Sequence, residues 1–263
     1  MTSFLDLHRP GNPLLLPNPW DAGSARVLQT LGFEALATTS SGFAATLGRP
    51  DTAVTRDEAL GHAAAIAAAV DVPVSADLER CFADDPQGVA ATIYAAAGTG
   101  IAGCSIEDAT GRPDDPIYDA ALAKDRVAAA VEAAGDRLVI TARAENHLHG
   151  RQDLADTIAR LQSYQEAGAH VLYAPGLTTT EQVRDVVSSV DRPVNVLAVP
   201  GAPTVAELAE LGVARISVGG AFAFAALGAL VDAAREFREQ GTYGFWELAR
   251  AHRDDVDRAF RRG

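Results

Sequence analysis

Apolar positions along the chain fall into two alternating kinds of segment. Short apolar or β-branched runs closed by turn residues predict strands at 14–17, 35–39, 72–77, 103–107, 138–142, 170–174, 194–198 and 215–218. Longer stretches with helical spacing predict helices at 23–31, 56–70, 85–97, 119–134, 154–167, 180–188, 204–211 and 221–238. Asp21, Thr55, Asp119, Thr179 and Pro203 mark helix starts; Gly32, Gly98, Gly135, Gly168 and Gly212 mark ends. Strict alternation of strand and helix calls for a parallel sheet, and eight units of each fit a closed (β/α)8 TIM barrel better than an open doubly wound sheet. The predicted organisation is one domain over residues 1–263, with 243–262 as a C-terminal helical extension. Phe245, Trp246, Leu248, Val256 and Phe260 give that extension an apolar stripe, which could cap its own barrel or meet a second subunit.

Composition narrows the function. The 263 residues are 48% hydrophobic, enough for one large core, and the formal net charge is −13, which disfavours nucleic acid. No leader pattern or membrane-length apolar run is present, so a cytoplasmic protein with no membrane partner is expected. Cys81 and Cys104 make neither a disulfide framework nor a zinc spacing. All but one of the 22 Lys and Arg residues are arginine, and the exception, Lys124, falls in a predicted helix. Arginine stays protonated and forms no Schiff base, so lysine-dependent aldol chemistry inside the barrel is excluded.

Catalysis in such barrels gathers at the C-terminal ends of the strands. Three neighbouring strand ends carry acids: Asp77 and Glu79 on the third, Glu107 on the fourth, with Glu145 beyond Arg143 on the fifth. Asp77, Glu79 and Glu107 cannot share one rim fully ionised without protons or a cation. Oxygen ligands without a cysteine or histidine cluster suit Mg2+, with Mn2+ as substitute; pairing with Arg80 and Arg143 is the alternative. Arg143 could clamp a carboxylate or a developing oxyanion, or pair with Glu145 or Glu107. The Ser41-Gly42 amides and the Gly219-Gly220 pair are weaker anion-site signals. His147 and His149 read as loop histidines, Cys81 as a thiol blunted by neighbouring acids, and no Ser-His-Asp set or Walker loop occurs.

Together these segments resemble the isocitrate lyase/phosphoenolpyruvate mutase superfamily, from about Leu16 to Gly220. Leu47-Gly48-Arg49-Pro50-Asp51 is similar to its Leu-Gly-x-x-Asp. Val74-Ser75-Ala76-Asp77-Leu78-Glu79 takes the place of its Asp-Ala-Asp-Thr-Gly-Tyr-Gly segment. Gly103–Asp108 is similar to its strand-four Glu-Asp motif, and Thr141-Ala142-Arg143-Ala144-Glu145 to its Ala-Arg-x-Glu strand. The resemblance implies Asp77 as direct Mg2+ ligand, with Asp51, Glu79 and Glu107 holding the metal's waters. It implies Ser41, Gly42 and the adjoining Phe43 at the substrate carboxylate, Arg143 at the enolate oxygen and Asn195 at the far end of the substrate. Arg143, Asp51 and Glu107 are the candidate catalytic residues. A last helix exchanged between subunits, in a dimer or tetramer, is also implied.

Two departures stand out. Glu79 replaces the second aspartate, lengthening a water-mediated reach. The loop Ala109–Tyr118 carries neither the Lys-Lys/Arg-Cys-Gly-His of the family's C–C lyases nor the Lys- and Asn-bearing loop of its mutases and phosphonopyruvate hydrolases. Its only cation is Arg112, and its turn-rich sequence reads either as a mobile lid or as an idle loop with Arg112 held by Asp114 or Asp115. The expected activity is Mg2+-dependent C–C cleavage of a small 2-oxo or 2-hydroxy (di)carboxylate through an enolate. The alternatives are P–C chemistry on a phosphonopyruvate-like substrate, or a catalytically reduced protein that only binds a 2-oxo acid.

Overall fold

The computed structural model describes residues 3–261. The eight expected strands form: β1 (Leu14–Leu16), β2 (Leu36–Ala37), β3 (Val74–Asp77), β4 (Gly103–Glu107), β5 (Val139–Arg143), β6 (Val171–Tyr173), β7 (Val194–Leu197) and β8 (Arg215–Ser217). Every hydrogen-bonded pair is parallel, and the order runs from β2 through β8 and on to β1. At the remaining seam, Ala37 N–H donates to Pro17 O at 3.1 Å. Prolines 17 and 19 have no N–H to give, and the buried Asn18 between them ties the seam with its side chain. Its Nδ2 donates to Thr38 O (2.9 Å), and its Oδ1 accepts the amides of Val218 (3.0 Å) and Gly219 (2.9 Å).

The barrel helices are α1 (Ala22–Thr30), α3 (Arg56–Ala67), α4 (Pro86–Ala96), α5 (Ala120–Ala134), α6 (Leu154–Glu166), α7 (Thr180–Ser188), α8 (Val205–Glu210) and α9 (Ala221–Arg235). Oxygen side chains cap seven of them, including Asp21, Thr55 and Thr179; Thr204, not Pro203, caps α8. Gly168 and Gly212 leave their helices at φ of 97° and 84°, where a side chain would be strained. Leu28, Ile66, Val89, Ile93, Leu161, Val183 and Leu208 bury against the outer faces of the strands. Among the described residues no helix is long and apolar enough to cross a membrane.

Two elements differ from expectation. After β2 the chain does not run on as a loop: Thr39 caps a short helix, α2 (Ser40–Thr46). The C-terminal extension is two helices, α10 (Phe245–Ala251) and α11 (Arg253–Phe260), broken at His252 with φ −124° and ψ 19°; Arg262 lies outside the described residues. Helix α11 packs on α1 of its own chain, burying Ala259 and bringing the Phe260 ring near Gly23. Helix α9, by contrast, buries only Ala223.

The barrel interior is polar where branched apolar side chains are usual. Ser75, Thr141, Asn195, Arg215 and Ser217 are all buried. His8, from the N-terminal turn, closes the floor. Its Nδ1 donates to Phe4 O (3.0 Å), which leaves Nε2 to accept from Arg215 Nη1 (3.3 Å). Burial, reinforced by Arg215, pushes the His8 imidazole down to about 3. The folded protein therefore refuses a proton that the unfolded chain accepts near pH 6.5, and this contribution is lost as pH falls from about 6.5 toward 3, by up to about 1.4 kcal/mol per unit. Denaturant titrations at pH 7 and pH 4 are expected to show the advantage of wild type over His8→Gln shrinking at the lower pH. An advantage that grows on acidification would refute the neutral His8.

Candidate active site

Inward-facing residues at the strand ends frame a cavity of about 150 Å3 that reaches down into the barrel. Ser40 and Ser41 on α2, Asp51 beyond it, Asp77 on β3, Arg143 on β5, Asn195 on β7 and Ser217 on β8 all line it. Thus Ser41, Asp51, Asp77, Arg143 and Asn195 converge from five separate stretches of sequence. Gly42 and Phe43 do not face this space. The Gly42 amide is the N-cap donor to Thr39 Oγ1 (3.4 Å), and a Cβ there would lie 2.6 Å from Thr39 Cγ2. Phe43 stacks on His62 with ring centroids 3.9 Å apart and lines a second hollow, of about 10 Å3, behind Asp77. Glu79 lines that same hollow.

Arg143 is the hub of the acids. Its Nη1 lies 3.1 Å from Asp77 Oδ1, its Nη2 3.3 Å from Glu107 Oε2 and its Nε 2.8 Å from Glu145 Oε1. These carboxylates outweigh burial and hold the guanidinium firmly protonated. Asp77 is fixed on both oxygens: Ser40 N–H donates to Oδ2 (3.1 Å), and Ser105 Oγ donates to Oδ1 (3.2 Å). One guanidinium cannot neutralise so many acids. Burial, then the charges of Asp77 and Asp51, push Glu79 up to about 7. Glu107 is raised well above the carboxylate range, first by burial and then, against Arg143, by Glu145, Asp77 and Glu79. Asp108 has turned away from the site: it accepts Glu145 N–H (2.8 Å), Arg160 Nη1 (3.1 Å) and Tyr164 Oη (2.6 Å).

The turn after β3 is strained. Glu79, Cys81 and Phe82 sit at φ of 49°, 58° and 53°, each costing on the order of 1–2 kcal/mol for a side chain with Cβ. Arg126 on α5 holds this turn. Its Nη2 donates to Arg80 O and Ala83 O (3.0 Å), its Nη1 donates to Glu107 O (3.1 Å), and it lies over the Tyr118 ring at 4.0 Å. Sequence reasoning passed over Arg126, yet its spacing from Ala123, Ala130 and Ala134 places it on the buried face of α5. Cys81 is sealed in the core and burial pushes its thiol up to about 12, which removes it as a nucleophile or acid.

Other sequence candidates lie elsewhere. Loop 109–118 closes as a small hairpin through an Ala109–Ile117 bridge, with Ile117 and Tyr118 buried. Arg112 pairs with Asp115 (3.1 Å) and Asp84 (3.7 Å) and does not line the cavity. His147 is buried rather than an exposed loop residue, with Nδ1 3.0 Å from Gln152 Oε1; His149 is exposed. A Cβ at Gly220 would overlap Ser41 Oγ as it now stands, so a larger residue there would force that hydroxyl to rotate.

The donor set has a definite reach. Among the described residues no three acidic, histidine or cysteine side chains converge closely enough to ligate one ion directly. What remains is a surplus of buried carboxylate oxygen around one arginine, with Asp77 on the cavity wall and a water-sized hollow between Asp77 and Glu79. That arrangement fits a hard divalent cation that keeps most of its waters.

A parallel eight-stranded barrel with an acid-rimmed polar cavity at its C-terminal strand ends defines a small-molecule enzyme scaffold. The chain belongs to the phosphoenolpyruvate phosphomutase family, whose model matches residues 4–238. A crystal structure of a protein described as a lyase/mutase, from Burkholderia cenocepacia, is 53% identical and superposes with a TM-score of 0.94 over 98% of this chain and 95% of that one. The 2-methylisocitrate lyase of Escherichia coli is 31% identical over 209 residues, covering 72% of this chain and 70% of its own. An oxaloacetate decarboxylase of Pseudomonas fluorescens is 31% identical over 255 residues, covering 90% and 86%. The last two relatives are, by name, enzymes acting on small acids.

Proposed function

We propose that the protein is a Mg2+-dependent lyase or hydrolase that cleaves a C–C bond of a small 2-oxo or 2-hydroxy (di)carboxylate through an enolate. The observation that carries this reading is the excess of buried carboxylate around Arg143 at the mouth of a polar cavity. In this reading Asp77 holds the cation directly, while Glu79, Glu107 and Asp51 hold its waters. When bound, the cation supplies Lewis-acid stabilisation to the carbonyl oxygen of the substrate. The remaining work falls to the chain's own groups. Ser41, which lines the cavity, orients the substrate carboxylate, and Asn195 the opposite end. Arg143, held by three carboxylates, presents fixed N–H groups to the oxygen on which charge accumulates, so no reorganisation is needed as the bond breaks. Glu79, pushed up to about 7, is the acid placed to take up or release a proton near neutral pH. The cleavages performed by the 2-methylisocitrate lyase and oxaloacetate decarboxylase relatives support this class of reaction.

Titration calorimetry with oxalate, an enolate mimic, tests the cation. Wild type is expected to bind oxalate only with Mg2+. Asp77→Ala is expected to lose binding, and Glu79→Gln to weaken it about tenfold, since its contact runs through water. Mg2+-dependent binding that is unchanged in Asp77→Ala would sink the assignment. Turnover assays with oxaloacetate, 2-methylisocitrate and phosphonopyruvate then separate C–C from P–C cleavage.

A further inference from the structure

The cavity has a second cationic end that the reading above leaves unused. Arg215 starts β8, is 4% exposed, and lines the same cavity as Asp77 and Arg143. Its Nε donates to Asn195 Oδ1 (2.8 Å), and its Nη1 donates to Thr141 Oγ1 (3.1 Å) and to His8 Nε2 (3.3 Å). All these partners are neutral. Among the described residues no carboxylate pairs with Arg215, and Nη2 has no acceptor although it is not sealed off like the unpaired Nε of Arg126. Burial, with Arg143 adding to it, lowers the guanidinium to about 10, a measure of how poorly its charge is compensated. Arginine remains a cation at neutral pH even so.

A buried cation without a counter-ion destabilises a fold unless something else uses it. Of the other arginines held inside the fold, Arg143 pairs with three acids and Arg160 with Asp108 and Asp156, while Arg126, which meets three carbonyls, lies outside the cavity that Arg215 lines. Position explains what Arg215 could serve. Thr141, which it touches, lies two residues before Arg143 on the same inward face of β5, so Arg215 sits roughly 6–7 Å below Arg143 along the strand direction. One row of the sheet runs Glu107, Arg143, Tyr173, Asn195, Arg215 and so joins the acid rim to the cationic floor. Ser217, Asn195 and Ser75 add polar groups around it.

We propose that Arg215, with Asn195 and Ser217, forms an anion subsite at the floor of the barrel cavity, and that the substrate is a dianion. One end, the 2-oxo acid, lies at the acid rim; the other, a carboxylate, phosphonate or sulfonate, completes the charge balance of Arg215. This rests on the reading of the rim as the 2-oxo acid end. The subsite also bears on the reaction. An anion held by a buried cation is stabilised where it is, so the group at Arg215 stays on its fragment and does not depart as carbon dioxide.

The test compares two Mg2+-supported ligands that differ at the distal group alone, 2-oxobutyrate and 3-sulfopyruvate, with oxalate as the control for the rim. In wild type 3-sulfopyruvate is expected to bind about tenfold or more tighter than 2-oxobutyrate, the size of a charge-assisted hydrogen-bonded contact. In Arg215→Met the preference is expected to fall to about twofold or less while oxalate affinity is unchanged. Oxalate binding without any wild-type preference overturns the subsite and leaves the rim reading intact, whether or not the variant folds. A preference that survives in Arg215→Met also overturns it. Failure of oxalate to bind wild type removes the rim reading, and the subsite falls with it.

Discussion

Exchanging Arg143 for lysine is expected to lower kcat/KM by about 10²–10³-fold, on whichever of the three candidate substrates wild type cleaves, while leaving the barrel folded. The lysine keeps the positive charge among Asp77, Glu107 and Glu145 but loses the planar fork that now meets all three at 2.8–3.3 Å. A point charge on a flexible stem cannot hold three acids in place and still present a fixed donor to an enolate oxygen. Arg143→Met separates structure from catalysis. It leaves three largely buried carboxylates with no guanidinium, and the expected cost is about 3–5 kcal/mol in a denaturant titration without metal. Added Mg2+ should recover part of that loss if the acids hold a cation, because binding to the folded form alone stabilises it. Near-wild-type turnover in Arg143→Lys would reduce Arg143 to a structural counter-ion. A methionine variant as stable as wild type in the absence of metal would show that these acids are already protonated and need no cation.

The eight strands were legible because each is a short apolar run bounded by turn residues, and the barrel helices because Asp21, Thr55 and Thr179 announce their caps. The convergence of Ser41, Asp51, Asp77, Arg143 and Asn195 followed from one topological rule about strand ends. Helix α2 was missed because Ser-Ser-Gly has weak helical propensity, and what sustains it is Thr39 below and packing against Trp20 and Ala223. Arg126 and Arg215 were passed over for a different reason. Charge pattern assigns arginine to solvent, and only the burial face of α5 or the inward alternation of β8 reveals otherwise. The pairing of Arg143 with three acids at once also lay beyond sequence, since it depends on the stagger between β3, β4 and β5. The lid reading of loop 109–118 rested on its turn residues; Asp84, distant from Arg112 in sequence, supplies one of the two acids that hold Arg112 away from the cavity.

Ending the chain after Gly241 is expected to change the mass measured by light scattering, or to precipitate the protein. Wild type is expected to be a dimer or tetramer. The reason lies on α9. A barrel helix normally buries one face, yet this one leaves Phe222, Phe224, Leu227, Leu230 and Val231 exposed, and Phe237 continues the stripe past its end. The surface of α1 that a neighbouring helix would cover is occupied by α11. Exposed apolar side chains packed this densely on one helix seek cover, and the net charge of −13 would otherwise keep subunits apart. A second copy offers matching cover, because two equivalent α9 stripes can meet across a twofold axis. Removing α10 and α11 then has two effects: it strips α1 of the helix that buries Ala259 and rests the half-exposed Phe260 ring near Gly23, and it removes the exposed Trp246 and Leu248 from the protein surface. A narrower change, Leu230→Asp with Phe224→Asp, leaves the α1–α11 contact intact and is expected to give a folded monomer. Wild type and both variants running as monomers of equal stability would remove the second subunit from the account and leave α9 an exposed surface helix.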